Sequence, residues 1–147
     1  VRINLVIIVN LDIMYYIKTI MKNTIFKLLE YLYYFSLVFL FILYLFPGSL
    51  IGYFLYGNLD QQPDLISNPI GTSINHLIFF IYLSSLAFIF RVKEKKFINS
   101  LQFLLFISIL LEGLHYFIPN RAFEYIDLFA NFIGVIFTFS IVKIIKK

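Results

Sequence analysis

"LLEGLHYFIPNRAFEYIDLFANFIG", residues 110–134, joins two apolar segments through a turn and carries a group of polar residues. Proline disfavours helical geometry in the residue before it, so one helix is expected to end just before Pro119. A second apolar segment begins near Tyr125 and continues to Ile145. The stretch therefore predicts a helix, a short turn and a second helix.

The rest of the chain is just as apolar. Of its 147 residues, 61% are hydrophobic and only 14% are charged, which is far from the usage of soluble domains. A helix that spans a bilayer needs about 20 mostly apolar residues. Four such segments are expected, at about residues 24–46, 74–90, 97–118 and 125–145. We therefore expect an all-α, polytopic membrane helical bundle that forms one domain over residues 24–145, with the lipid bilayer as its main partner.

Residues 1–20 precede this domain. Met21-Lys22-Asn23 opens the basic and then apolar pattern of a membrane protein's start, so our hypothesis is that residues 1–20 are an upstream extension. The alternative is a fifth, short helix over about residues 3–17, which three polar residues interrupt (Asn4, Asn10 and Asp12). A signal peptide is not expected, because no small-residue cleavage site follows the first long apolar segment.

Charge and composition exclude several classes of function. The chain has no cysteine, so disulfides and thiolate metal sites are excluded. Its net charge is +4, but the basic residues lie at the ends of apolar segments, where they are typical of topology signals and not of a nucleic-acid surface. The sequence also lacks a Gly-rich phosphate loop and a serine-centred hydrolase motif.

The positions of lysine and arginine predict the orientation. Nine of them lie at the start of the first span, between the second and third spans, or at the end of the fourth: Lys22, Lys27, Arg91, Lys93, Lys95, Lys96, Lys143, Lys146 and Lys147. The two other loops contain only Arg121. Because cytoplasmic loops are enriched in lysine and arginine, both termini of this multi-pass protein are expected on the cytoplasmic side of the cell membrane.

With this orientation, five polar residues share one outer depth: His76, Glu112, Arg121, Asp127 and Asn131. They are our candidates for a ligand pocket. An ionisable side chain in the middle of a spanning helix costs about 2.5–3.5 kcal/mol on insertion scales, and less near the interface, so some compensation is expected. We expect Arg121 to form an ion pair with Asp127 or Glu112.

The fourth span carries a stripe of polar and small residues. Asp127, Asn131, Gly134 and Thr138 recur at helical spacing. Small residues permit close approach of two helices, and polar ones bond across the contact. Gly134 and Thr138 are therefore expected to pack helices, and the stripe is expected to meet the face of the third span that carries Glu112.

Three interpretations of these residues remain open. Asp127 and Asn131 could simply hold helices together, whereas Glu112 lies deeper and favours a functional role. Glu112 and His115 have the spacing of a ligand pair, which His76 and Asp127 could complete as a metal site. Because only one such pair is present, no metal and no cofactor is assigned. Acid–base catalysis on a lipid-linked substrate would need the same groups, but no nucleophile or catalytic residue is identified.

Residues 110–134 resemble the signature of VanZ-like membrane proteins. That signature has a Glu, an Arg after a turn with proline, then Asp-Leu-x-x-Asn and a Gly. The matching positions are Glu112, Arg121, Asp127, Leu128, Asn131 and Gly134. The stretch "NHLIFFIYLSSL" is similar to the family's other block, centred on a histidine that corresponds to His76. Two departures are His115, where the family usually has Gln, and Thr72-Ser73, where Asp-Lys is common.

The resemblance covers about residues 46–145 and implies a small integral protein of the cell envelope with about four helices. The family's namesake is associated with lowered susceptibility to glycopeptide antibiotics, notably teicoplanin, which act on cell-wall precursors outside the membrane. This favours an outward pocket for lipid-linked precursors or lipoglycopeptides. The alternatives are a structural or assembly factor and a membrane enzyme acting on a lipid head group, and the oligomeric state stays open.

Overall fold

The described part of the chain is helical. The computed structural model describes residues 2–63, 71–91 and 95–145, and the side chains of residues 2–13, Thr72 and Phe90 lie outside that description. The helices are α1 (Arg2–Leu45), α2 (Leu50–Tyr56), α3 (Gly71–Arg91), α4 (Leu101–Leu114) and α5 (Tyr125–Ile145). Two 3₁₀ turns, Phe97–Asn99 and His115–Phe117, flank α4, and no strand occurs in the described ranges. The all-α prediction is confirmed.

Helix α1 is longer than expected. Its 44 residues extend about 66 Å at 1.5 Å per residue, whereas a hydrocarbon core is about 30 Å thick. Residues 2–20 continue the backbone of the first expected span instead of forming an element of their own. Every side chain from Met14 to Ile25 is exposed, and Phe26 is the first that packs against the core. The upstream start therefore stays a prediction.

Four helices form a closed bundle. Helix α3 packs most closely against α5, α5 also contacts α4, and α1 contacts both α3 and α4. Helices α1 and α4 run in the same direction, since Tyr44 and His115, each at the end of its helix, stack with ring centroids 5.2 Å apart. From α1, the core receives Tyr33, Leu37, Leu40 and Tyr44, which recur at helical spacing and are buried. The C-terminal ends of α1 and α4 therefore meet at one end of the bundle, where Tyr44 and His115 lie.

The outer faces of the helices are apolar. Phe35 is 68% exposed, Phe106 59% and Phe129 62%. Two helical segments are long and apolar enough to cross a membrane, Met14–Leu45 and Tyr125–Ile145, and two shorter apolar helices are Ser73–Ile89 and Leu101–Phe117. The expected third span is shortened because the Ser100 hydroxyl accepts a hydrogen bond from the Phe103 N–H and starts α4 there.

The loop after α1 folds back onto α2. Gly48 has a positive φ of 82°, a conformation that glycine adopts without strain, and the Ser49 N–H donates to the Leu59 carbonyl at 2.6 Å. A side chain at Gly52 would put its Cβ 1.6 Å from the Gln61 carbonyl oxygen, so only glycine fits beneath the returning chain. The Asn75 amide then donates to the Pro63 carbonyl at 2.6 Å. These contacts bring Gln62 and Pro63 to the polar end of the bundle.

Candidate functional site

His76 lies at the centre of the polar end of the bundle. Its position in the first two turns of α3 directs the imidazole toward three other helices. The Tyr44 hydroxyl is 2.7 Å from Nδ1, and the Asp127 Oδ2 is 3.5 Å from Nε2. The Glu112 Oε2 is 3.9 Å from Nδ1. One histidine therefore contacts residues of α1, α4 and α5.

Glu112 is fully buried on α4, at 0% exposure. Its Oε1 accepts the Glu124 backbone N–H at 3.1 Å and lies 3.3 Å from the His115 Nδ1. Its Oε2 has no hydrogen-bond partner in the described part of the chain. The first oxygen is thus held by the turn before α5, and the second faces His76.

Asp127 and Asn131 lie one turn apart on α5, and both are buried. The Ser73 hydroxyl donates to the Asp127 Oδ1 at 2.5 Å, and the Tyr44 hydroxyl donates to the Asn131 Oδ1 at 3.0 Å. Four of the five predicted pocket residues, His76, Glu112, Asp127 and Asn131, therefore belong to one connected group. Ser73 supplies a hydroxyl to that group.

Tyr44 is the residue that sequence reasoning missed. It is 8% exposed and lies in an apolar segment rich in tyrosine and phenylalanine. The sequence does contain a pattern that indicates its burial: Tyr44 continues the helical spacing of Leu37 and Leu40 and so belongs to the core-facing stripe of α1. A tyrosine hydroxyl on such a stripe needs a polar partner.

The expected ion pair of Arg121 with a carboxylate is wrong. Its Nη2 donates to the Leu43 carbonyl at 2.7 Å, and its Nε donates to the Phe46 carbonyl at 3.4 Å. The last carbonyls of a helix have no partner within that helix, so the guanidinium caps the end of α1 from outside. Burial lowers the pKa of Arg121 from its ordinary value, although the group stays protonated.

The packing residues of α5 face α3 and not α4. A Cβ at Gly134 would lie 2.9 Å from the Leu77 carbonyl oxygen and 3.0 Å from the Phe80 Cβ. Thr138 is buried and donates to the Gly134 carbonyl at 2.9 Å, which satisfies its hydroxyl within α5. Helix α5 also contacts α4, and Glu112 of α4 reaches the turn before α5 and lies near Asp127.

Two cavities adjoin the group. A polar cavity of about 190 Å³ is lined in part by Asn120, Glu124 and Asp127. A second, mainly apolar cavity of about 120 Å³ is lined in part by Leu40, Leu50 and Phe79. Both are lined by the same four residues, Gln62, His76, His115 and Arg121. A ligand with a polar head and an apolar tail fits this combination.

The group also has the composition of a metal site. One ligand atom each from His76, Glu112 and Asp127 lies within 4.8 Å of the other two. His115, which the sequence placed in a ligand pair with Glu112, is not part of this set. The nearby carboxylates also act on Glu124: partial burial, followed by Asp127 and Glu112, raises the pKa of that exposed carboxyl.

No protein-family model, no curated protein and no solved structure matches this chain. The resemblance to VanZ-like proteins therefore stays a prediction that depends on the residues of its motif.

Proposed function

We propose that this chain is a VanZ-like integral protein of the cell membrane whose outward-facing pocket binds the phosphate of lipid-linked envelope precursors. It has four spanning helices and cytoplasmic termini, and by sequestering such precursors or lipid-tailed glycopeptides it affects tolerance to teicoplanin-type antibiotics. The observation that carries the proposal is the pair of cavities, one polar and one mainly apolar, which share His76, His115 and Arg121.

The membrane part of the proposal is supported by the apolar outer faces of all four bundle helices. A helix that is apolar all round and has an exposed outer face fits lipid and not water. The two shorter helices, Ser73–Ile89 and Leu101–Phe117, would cross with their ends near the head groups, which a modest thinning of the bilayer accommodates.

The orientation is supported by where the basic residues lie in the bundle. The Lys96 Nζ forms an ion pair with the Glu30 Oε1 at 3.0 Å, and Glu30 is about 20 Å along α1 from the Leu43 carbonyl that Arg121 binds. Arg91 and Lys143 line one cavity together, at the Lys96 end. Lys93, Lys146 and Lys147 lie outside the described residues. Basic residues thus gather at the end of the bundle opposite His76, as the positive-inside bias requires for an outward pocket.

The ligand class is supported by Arg121. Two of its nitrogens donate to the carbonyls of Leu43 and Phe46 at the end of α1, which fixes the guanidinium. Its Nη1 has no hydrogen bond to the described residues. A fixed arginine with a spare donor is suited to a phosphate oxygen. The apolar side chains of the neighbouring cavity would receive the first part of a lipid tail.

The test compares two lipids that differ only in the phosphate: a polyprenyl phosphate and the polyprenol of equal length. We expect native mass spectrometry of the purified full chain in detergent to detect the phosphate lipid in preference to the alcohol. Arg121→Gln removes the charge and should lower that preference about tenfold or more, since one charge-assisted hydrogen bond contributes about 1.5–3 kcal/mol.

The matched control is Arg91→Gln, which removes the same charge at the opposite end of the bundle. It should leave the preference for the phosphate lipid unchanged. Equal binding of phosphate and alcohol by the wild-type chain, or equal losses in the two variants, would contradict the proposal and favour a purely structural role of Arg121 at the end of α1.

A further inference from the structure

Two carboxylates are buried near each other, and their basic neighbours among the described residues are histidines and not lysine or arginine. Glu112 is 0% exposed and Asp127 is 6% exposed. Among the described residues, no lysine or arginine nitrogen lies within 4.0 Å of either carboxylate, because the guanidinium of Arg121 is bound to carbonyl oxygens. Each buried ion without compensation costs several kcal/mol, so this arrangement calls for a positive charge.

The hydrogen bonds of Tyr44 orient the imidazole between them. The Tyr44 hydroxyl donates its one proton to the Asn131 Oδ1, so it must accept a proton from the His76 Nδ1. In the neutral imidazole the Nε2 then carries a lone pair. That lone pair faces the Asp127 Oδ2 at 3.5 Å, so two acceptors point at each other.

A third acceptor, the Glu112 Oε2, lies 3.9 Å from the His76 Nδ1. The Glu112 Oε2 is buried, has no hydrogen-bond partner among the described residues, and lies on the His76 side of its carboxylate. One ligand atom from each of the three residues lies within 4.8 Å of the others. We propose that His76, Glu112 and Asp127 bind a single divalent metal ion of the zinc class.

The donor atoms favour zinc over the hard cations. Zinc takes imidazole nitrogen at about 2.0–2.1 Å and carboxylate oxygen at about 2.0–2.2 Å, in tetrahedral sites. Such an ion separates its ligand atoms by about 3.4 Å, close to the 3.5 Å between the His76 Nε2 and the Asp127 Oδ2. Calcium takes six or more oxygens, and magnesium holds a nearly ideal octahedron with several waters. Three protein ligands leave zinc one position for water or for a phosphate oxygen.

Each of the three residues is also held by its other polar atom. The Nδ1 of His76 is bound to Tyr44, the Oδ1 of Asp127 accepts from Ser73, and the Oε1 of Glu112 accepts from the Glu124 N–H. Metal ligands in proteins are usually oriented in this way by a second shell of hydrogen bonds. Of the three atoms that face each other, the Glu112 Oε2 is buried without a hydrogen-bond partner among the described residues.

The experiment uses the full chain in detergent, stripped with EDTA, freed of chelator and titrated with zinc chloride alone. After gel filtration, elemental analysis should find about one zinc ion per chain. Zinc should raise Tm by about 5 °C, since an ion that binds only the folded state stabilises it. Magnesium and calcium chloride at the same concentration should not. Less than about a fifth of a zinc ion per wild-type chain, or equal stabilisation by magnesium, would overturn the proposal.

Variants that keep a polar side chain at each position locate the ion. Glu112→Gln, Asp127→Asn and His76→Gln should each lower zinc affinity about 100-fold, while Glu124→Gln, an exposed carboxylate beside the site, should retain the full amount. An equal loss in Glu124→Gln would mean surface binding and would overturn the assignment. The zinc titration of the wild-type chain tests the proposal by itself, so the test does not depend on whether every variant folds. The titration also contains no lipid, and it therefore succeeds or fails separately from phosphate binding at Arg121.

Discussion

The hydroxyl of Tyr44 lies within hydrogen-bond distance of both His76 and Asn131, and its ring stacks on His115. At the scale of single residues, this end of the bundle is held by neutral hydrogen bonds from hydroxyl groups, while its two carboxylates contact no arginine or lysine among the described residues. Removing a buried partner leaves the remaining polar atoms unsatisfied, which is the costly outcome in an apolar setting.

Tyr44→Phe tests this arrangement. The variant keeps the ring and removes only the hydroxyl, so two buried polar groups lose a partner. We expect a loss of about 1–3 kcal/mol in the free energy of unfolding, measured by circular dichroism at 222 nm during thermal unfolding in detergent. The matched control is Tyr125→Phe, because Tyr125 is 71% exposed and its hydroxyl has no hydrogen bond to the described residues. Equal effects of the two substitutions would contradict the role given to Tyr44.

At the scale of elements, the contact of α3 with α5 sets the geometry of the site. Gly134 lets the two backbones approach, and this contact positions Asp127 beside His76 one to two turns away. Close packing at a small residue is one of the few sources of helix association in lipid, where apolar burial between helices gains little. Helices α3 and α5 therefore act as the frame, and α1 and α4 bring Tyr44 and Glu112 to it.

Gly134→Ala should weaken this frame. The added methyl would lie 2.9 Å from the Leu77 carbonyl oxygen, too close for an ordinary contact. Overpacking of this kind costs about 1–3 kcal/mol, and Tm should fall accordingly. The control is Gly113→Ala on α4, where an added Cβ meets no atom within 4 Å. Since alanine favours helix over glycine by about 1 kcal/mol, that variant should be as stable as the wild type or more so. A Gly134→Ala protein as stable as Gly113→Ala would contradict the close α3–α5 contact.

At the scale of the whole molecule, apolar periodicity and helix breakers predicted the all-α fold. The expected fourth span coincides with α5, since Pro119 and the polar turn delimit it. Helix α4 begins after the start of the expected third span, because the Ser100 cap starts the helix within a longer apolar stretch. The position of each polar residue along its helix axis also follows from the sequence, since an α-helix rises about 1.5 Å per residue.

Rotation about each helix axis does not follow from the sequence in the same way. The stripe on α5 was expected to face α4, but Gly134 packs against α3, because only tertiary packing decides which neighbour receives a given face. The partner of Arg121 was missed for a related reason. The unpaired carbonyls at the end of α1 compete with carboxylates for its guanidinium. Every residue has a backbone carbonyl, so the sequence does not indicate which carbonyl an arginine will bind.

We propose that the polar end of the bundle faces outward from the cell membrane. The chain contains no cysteine, so a thiol reagent can react only with a cysteine that is introduced by substitution. Ala122→Cys lies in the exposed turn beside the polar cavity, and Lys95→Cys lies exposed near the opposite end. In intact cells expressing the full chain, a membrane-impermeant maleimide should modify Ala122→Cys, whereas Lys95→Cys should react only after the membrane is broken. The reverse pattern of labelling would place the polar end on the cytoplasmic side of the membrane and contradict the outward orientation.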